Sequence, residues 1–171
     1  MSSAVQNKPK FSEKTMKKIQ ESLSHYPVEK RKSALIPILH LVQEENGGWL
    51  SVTVMDYVAG LLNIQSIEVY EVATFYTQFN LKPTGRFVLE VCRTGPCCMV
   101  GADKLIDHLE KKLGIKDGET TSDGLFTIKT VECLAACGYG PVIQIGDRYY
   151  ENLNAQKTDE LLDKLKNDSI G

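Results

Sequence analysis

The chain has 171 residues, 42% of them hydrophobic and 25% charged, and its formal net charge at pH 7 is −2. This composition is typical of one or two small globular domains, and the lack of a basic excess argues against nucleic acid or anionic lipid as a partner. An apolar run such as 34–39 is too short to span a bilayer, so we expect no direct membrane insertion.

Composition and the positions of proline and glycine divide the chain into three parts. The polar stretch 1–10 is expected to be a disordered tail, with neither the apolar core of a secretory signal nor the Arg-rich and Ser-rich character of a transit peptide. Residues 11–83 are predicted to be a helical domain, and residues 84–171 a second domain. The linker 81–85, which contains Pro and Gly, separates these two domains.

Two helices are predicted first in the helical domain. Ser12 is a good cap for the first helix, which must end by Pro27. The second is expected from about Glu29 to Glu45, with a kink or local break at Pro37. Residues 46–48, with two glycines, tolerate left-handed backbone and end this helix.

Two more helices complete this domain. Ser51 or Thr53 begins a third helix through Leu62, and Ser66 is expected to cap the fourth. The aromatic residues after this cap are interpreted as core, or alternatively as a docking face for a partner, and they are Phe75, Tyr76 and Phe79.

Short helices with tight turns also occur in DNA-binding proteins. A DNA-reading helix needs a basic face, however, and residues 67–79 contain Glu68 and Glu71 but no Lys or Arg. The pattern therefore favours a packing domain over a DNA-binding one.

The second half alternates between strand and helix patterns. The predicted elements are a strand over 87–91, a helix over 98–113, a strand over 125–131, a hairpin of 142–145 with 148–151, and a last helix capped by Asn154. A strand, helix and strand at this spacing form a parallel, right-handed crossover. The order predicts an α/β architecture, a helical bundle followed by a mixed sheet domain that resembles thioredoxin.

Four cysteines in two close pairs follow the two parallel strands. Cys92 and Cys97 are separated by four residues, and Cys133 and Cys137 by three. Because parallel strands end at the same edge of a sheet, both pairs are expected there together, as metal ligands. Cys98 is the leftover thiol; we expect it to begin the helix, point away from Cys97 and be buried as a small apolar residue.

Three kinds of chemistry use such pairs. A disulfide framework suits small secreted chains, so a chain without a secretory signal favours metal. Structural zinc and a [2Fe–2S] cluster both use four thiolates, and spacing favours the cluster only mildly. No Cys-x-x-Cys is present, which argues against a thiol oxidoreductase, and His25, His40 and His108 lie outside both loops, which argues against Rieske ligation.

The residues flanking the cysteines carry a family resemblance. Residues 131–142, 93–97, 70–76 and 47–50 resemble the E subunit of NADH–quinone oxidoreductase (respiratory complex I), a thioredoxin-like [2Fe–2S] ferredoxin family. The likeness extends from about residue 11 to residue 166. One departure is Ala135, where the family often has glycine.

This resemblance implies a [2Fe–2S] cluster on Cys92, Cys97, Cys133 and Cys137. It also implies a one-electron carrier subunit that exchanges electrons with flavin, with FMN and NADH bound only on a partner subunit and further iron–sulfur subunits in the complex. The implied location is cytoplasmic, peripheral to the inner face of a bacterial plasma membrane through that complex. NAD-linked formate dehydrogenases and hydrogenases carry the same module and remain an alternative, as does a zinc-stapled interaction module.

Some neighbours of the cysteines are candidates for supporting roles. Gly95, Gly138 and Gly140 permit backbone to approach sulfur closely, although they are equally well explained as turn residues. Arg93, beside Cys92, is either a stabiliser of negative charge or a solvated side chain.

Overall fold

The structure is a computed structural model, and it describes residues 9–168. The predicted disordered tail therefore falls largely on residues 1–8, which lie outside the described part of the chain. The chain divides between Pro83 and Thr84 into two compact units. The first is helical, and the second is built around a four-stranded sheet.

The helical unit contains four α-helices within its described residues. They are α1 (Glu13–Ser24), α2 (Leu35–Glu45), α3 (Val52–Leu62) and α4 (Ser66–Phe75), with a 3₁₀ helix (Val28–Ala34) before α2. Side-chain caps begin two of them: Ser12 Oγ accepts from the amide of Thr15, and Ser51 Oγ from that of Val54. The buried faces of all four α-helices share one apolar core.

The second predicted helix differs from the structure in where it is interrupted. A 3₁₀ helix gives way to α2 at Leu35, and Pro37 is the third residue of α2. The first turn of a helix does not need backbone N–H groups, so a proline is tolerated there without a kink. The interruption expected at Pro37 therefore lies two residues earlier, where the 3₁₀ helix ends and α2 begins.

The fourth helix begins one residue earlier than predicted. Gln65, not Ser66, occupies the N-cap position of α4, and its amide donates to Glu68 Oε2 at 2.9 Å. Ser66 instead hydrogen-bonds the carboxylate of Asp56 on α3. Its hydroxyl thus ties α4 to α3.

The aromatic residues at the end of α4 have different surroundings. Phe79 is buried in the core, whereas Phe75 is 77% exposed and Tyr76 is also exposed. The core interpretation is therefore correct only for Phe79.

The second unit contains a mixed sheet. Its strands are β1 (Phe87–Cys92), β2 (Phe126–Val131), β3 (Ile143–Ile145) and β4 (Arg148–Tyr150), in the order β2-β1-β3-β4. β1 and β2 are parallel, whereas β3 runs antiparallel to both β1 and β4. The predicted parallel pairing of β1 with β2 and the predicted hairpin are confirmed.

Three α-helices accompany the sheet within the described residues: α5 (Gly95–Met99), α6 (Ala102–Leu113) and α7 (Ala155–Asn167). The single helix predicted over 98–113 is wrong in its first turn, because Gly101 at φ +108° separates α5 from α6. Asn154 caps α7 as expected, since its Oδ1 accepts from the amide of Lys157 at 2.9 Å.

One apolar core joins α6 and α7 to the sheet. Its fully buried members include Leu89, Leu109, Ile128, Ile143 and Leu162. A separate buried group of Cys92, Cys97 and Ala102 lies at the cysteine end of the unit. Over residues 9–168, no helix has the length and apolarity needed to cross a membrane.

Candidate metal centre

The two cysteine pairs follow the two parallel strands. Cys92 is the last residue of β1 and pairs in register with Val131, the last residue of β2. Cys97 lies in α5, Cys133 in the loop after β2, and Cys137 begins the 3₁₀ helix Cys137–Tyr139. Because β1 and β2 end at the same edge, both pairs lie beyond that edge.

The pairs differ in exposure. Cys92 and Cys97 are each only 1% exposed, whereas Cys133 and Cys137 are exposed to solvent. The first pair therefore supplies the inner sulfurs of the site and the second pair its outer sulfurs.

Hydrogen bonds already fix two of the sulfurs. Cys92 Sγ lies 3.3 Å from Thr94 Oγ1, and its thiol also donates to the carbonyl of Glu132 at 3.4 Å. The amide of Ala135 donates to Cys133 Sγ at 3.3 Å. Each loop thus holds one sulfur by its own residues, and the contact with Glu132 joins the first loop to the second.

Burial, hydrogen bonds and neighbouring charge shift the pKa values of Cys92 and Cys97 in opposite directions. Burial is the largest influence on Cys92 and opposes its ionisation, but hydrogen bonds from the Thr94 hydroxyl and from the Thr94 and Leu134 amides outweigh it and lower its pKa. Burial raises the pKa of Cys97 to about 11, and the sulfurs of Cys92, Cys137 and Cys133 add to the effect. Mutual influence of this kind places all four thiols in one electrostatic neighbourhood.

Gly140 lets the second loop approach the first. A Cβ at this position would lie 2.9 Å from Val100 Cγ2 and 3.3 Å from Cys97 Sγ. A larger side chain would therefore have to displace Val100 and press against Cys97 where the loop crosses it. Gly95 and Gly138, by contrast, face open space, so the close approach predicted for three glycines holds only for Gly140.

Ala135 adopts a conformation that glycine prefers. Its φ is +55°, in the left-handed region that costs an L-residue about 1 kcal/mol or more. This explains physically why glycine suits the position. It also aims the amide of Ala135 at Cys133.

The leftover thiol and the neighbouring arginine lie outside the four-thiol set. Cys98 is half-buried within α5, and its thiol donates to the carbonyl of Arg93 at 3.2 Å and to Asp103 Oδ1 at 3.7 Å. It does not begin the helix, and it packs only partly against the buried group of Cys92, Cys97 and Ala102 while also making these polar contacts. Arg93 is exposed, and its amide donates to the carbonyl of Val131.

The donor set fits a group that binds through thiolates. Two close pairs of cysteines at one edge, with backbone pressed against Cys97, match the ligands of a [2Fe–2S] cluster or of zinc. Over the described residues, no three His, Cys, Asp or Glu side chains converge tightly enough to enclose one metal ion.

One contributing residue was not singled out from the sequence. Thr94 lies between Cys92 and Cys97 and places its hydroxyl against sulfur, although Thr at this position is typical of an ordinary helix cap. The signal available in the sequence was a hydroxyl residue between two ligands.

A thioredoxin-like sheet with four cysteines at one edge defines a class of cluster-binding protein. Residues 19–166 match the model of the thioredoxin-like [2Fe–2S] ferredoxin family. The chain belongs to that family.

Relatives and solved structures agree with this assignment. The chain is 46% identical to the E subunit of NADH-quinone oxidoreductase from Rickettsia bellii and 47% identical to that from Rickettsia conorii, over 92% of this chain and 95% of each relative. A crystal structure of an NAD+-reducing [NiFe]-hydrogenase in the air-oxidized state has the same fold, with a TM-score of 0.68 and 21% identity. That match covers 78% of this chain and 23% of the hydrogenase chain.

Proposed function

We propose that this chain is the one-electron carrier subunit of an NADH–quinone oxidoreductase. The observation that carries the proposal is the pairing of four thiols at the shared edge of β1 and β2 in a member of the thioredoxin-like [2Fe–2S] ferredoxin family. Relatives that bear the name of this subunit, and that match the chain almost end to end, support it.

Four cysteines would hold the cluster. Cys92 and Cys97 supply the inner pair of thiolates, and Cys133 and Cys137 the outer pair, with each close pair on one iron. When bound, the cluster takes up and returns a single electron.

The two cysteine pairs have different surroundings, and we expect them to have different roles in electron transfer. Cys92 and Cys97 are closed off from water, so their side of the site has a low dielectric and holds hydrogen bonds firmly. Cys133 and Cys137 lie at the surface, where an electron enters or leaves most directly.

The surface beside these loops suits a protein partner. Met99 is 90% exposed and Val100 and Tyr139 are more than half exposed, and all three adjoin the cysteine loops in sequence. Exposed apolar side chains next to a redox site favour a partner that covers them and excludes water.

The partner in this proposal is the subunit that binds flavin and NADH. NADH gives up two electrons as hydride, flavin divides them, and this chain accepts one at a time. Further iron–sulfur subunits complete the complex, which lies on the cytoplasmic face of the plasma membrane in bacteria.

An NAD-linked hydrogenase or formate dehydrogenase is the second candidate for the parent complex. The fold shared with a chain of an NAD+-reducing [NiFe]-hydrogenase is the observation that favours it. Co-purification from the native source distinguishes the two: quinone-reducing membrane subunits support the first, and a hydrogenase or formate dehydrogenase subunit the second.

Reduction by NADH tests the carrier role directly. In the absence of added flavin, the purified chain should be reduced by dithionite but not by NADH. Stoichiometric reduction of the isolated chain by NADH would show a nucleotide site of its own and would overturn the carrier role. Zinc in place of iron, after anaerobic purification, would favour the interaction module instead.

A further inference from the structure

Thr94 occupies a helix cap position without capping the helix. It is the N-cap residue of α5, with extended backbone at φ −80° and ψ 162°, yet its side chain makes no capping hydrogen bond. Threonine at this position ordinarily accepts from an amide of the first turn. Here its Oγ1 lies 3.3 Å from Cys92 Sγ instead.

The direction of that hydrogen bond is fixed once Cys92 binds metal. A ligating thiolate carries no proton, so it accepts and cannot donate. The hydroxyl of Thr94 must then be the donor. The other contact of this sulfur, with the carbonyl of Glu132 at 3.4 Å, needs the thiol proton and offers the thiolate no stabilisation.

A donor to ligand sulfur stabilises the reduced site more than the oxidised one. The reduced site carries one more negative charge, and hydrogen bonds to sulfur are among the factors that set the potential of an iron–sulfur cluster. The effect is strong where water is excluded, and Cys92 is only 1% exposed.

We propose that Thr94 is a positioning residue that raises the reduction potential of the cluster by donating a hydrogen bond from its hydroxyl to Cys92 Sγ. This inference rests on the proposed function, because it requires the cluster. Backbone amides of Thr94 and Leu134 also face this sulfur, but Thr94 Oγ1 is the donor that a side-chain substitution removes.

The test compares three variants with the unmodified full chain, each loaded with its cluster. Thr94→Val keeps the shape of the side chain and removes the donor, whereas Thr94→Ser keeps the donor. Thr130→Val is the matched control, because the Thr130 hydroxyl donates to Asp117 Oδ2 at 2.6 Å and not to sulfur. The midpoint potential is measured by redox titration monitored by electron paramagnetic resonance.

The expected result is a more negative midpoint potential for Thr94→Val, with Thr94→Ser and Thr130→Val close to the unmodified chain. An unchanged potential in a Thr94→Val chain with a normal cluster signal would overturn the inference while leaving the proposed function intact. An unmodified chain without a [2Fe–2S] signal would overturn the proposed function itself.

A further variant at the same position is used if Thr94→Val does not bind the cluster. Thr94→Ala also lacks the hydroxyl but adds no branched side chain, and a more negative potential in that variant supports the inference equally. If Thr94→Val and Thr94→Ala both fail to bind the cluster while Thr94→Ser binds it, the hydroxyl is needed to retain the cluster. That result would overturn its proposed role in raising the reduction potential.

Discussion

The four proposed ligands occupy unlike surroundings, and a fifth thiol lies next to one of them. Cys133 is exposed and held by the amide of Ala135, whereas Cys98 is engaged with Arg93 and Asp103. These contacts distinguish Cys133, a proposed ligand, from Cys98.

Substitution of single cysteines tests this separation. Cys133→Ala should lose most of its iron and its visible absorption, because the affinity of a metal site and the order of its loop are coupled. Cys98→Ser is the matched control and should retain both. Iron and acid-labile sulfide analysis of the two purified variants provides the measurement. Normal iron content in Cys133→Ala, or loss of iron in Cys98→Ser alone, would show that the ligands are wrongly assigned.

Gly140 allows a second test at the scale of one atom. Gly140→Ala would place a Cβ 2.9 Å from Val100 Cγ2 and 3.3 Å from Cys97 Sγ, so these side chains or the second loop must shift. We expect a cluster that is lost faster on warming, with destabilisation of about 1 to 3 kcal/mol for such overpacking. Loss of visible absorption with temperature measures it.

Gly138→Ala is the control for this change, because a Cβ there meets nothing within 4 Å. It should behave like the unmodified chain. Equal behaviour of the two variants would mean that the second loop does not pack against Cys97 as described.

At the scale of elements, the start of the sheet unit depends on a close contact. The amide of Gly85 donates to Thr127 Oγ1 at 2.6 Å, and the amide of Phe87 donates to the carbonyl of Leu125 at 2.8 Å. A Cβ on Gly85 would lie 2.9 Å from three backbone atoms of Leu125 and Phe126. Backbone atoms in a sheet have little room to move, so only glycine fits.

Gly85→Ala should therefore lower the stability of the sheet unit by about 1 to 3 kcal/mol. Gly60→Ala is its counterpart, since Gly60 lies within α3 with open space around it, and alanine there should raise helix stability by about 1 kcal/mol. Urea unfolding followed by far-UV circular dichroism measures the first. Fluorescence of Trp49, the single tryptophan, measures the second. Opposite signs are expected, and a neutral Gly85→Ala would contradict the tight contact.

Most elements follow from local patterns, and the errors have local physical causes. Ser12, Ser51 and Asn154 are caps in the structure because hydroxyl and amide side chains reach first-turn amides. Gly101 interrupts the predicted helix because glycine adopts left-handed backbone without a steric cost. A single glycine within a helical apolar pattern does not by itself predict such a break.

The sequence singles out the proposed ligands but does not reveal their hydrogen bonds. Spacing and flanking residues select Cys92, Cys97, Cys133 and Cys137, but whether the Thr94 hydroxyl turns to an amide or to sulfur depends on three-dimensional geometry. Contacts with a partner are not predicted by the sequence either, because the sequence does not distinguish an exposed apolar residue from a buried one.

At the scale of the whole molecule, the proposed carrier role requires a partner on the cysteine face. Met99→Glu would place a charge among the apolar side chains beside the site, and we expect the dissociation constant for the flavin-bearing subunit to rise on the order of tenfold. Tyr149→Glu is the control, because Tyr149 is exposed on β4 and outside the cysteine loops. Isothermal titration calorimetry with the purified partner, at unchanged iron content, measures both. An equal rise in the dissociation constant for both variants, or no rise for either, would contradict docking beside Met99.

Analysis of the metal centre in the anaerobically purified full chain tests the central claim most directly. Iron and acid-labile sulfide are quantified together, and electron paramagnetic resonance spectra are recorded before and after reduction with dithionite. The proposed function predicts two iron atoms and two sulfides per chain, as the family description implies, and a signal that appears only on reduction. Stoichiometric zinc, with no sulfide and no signal in the reduced sample, would contradict it.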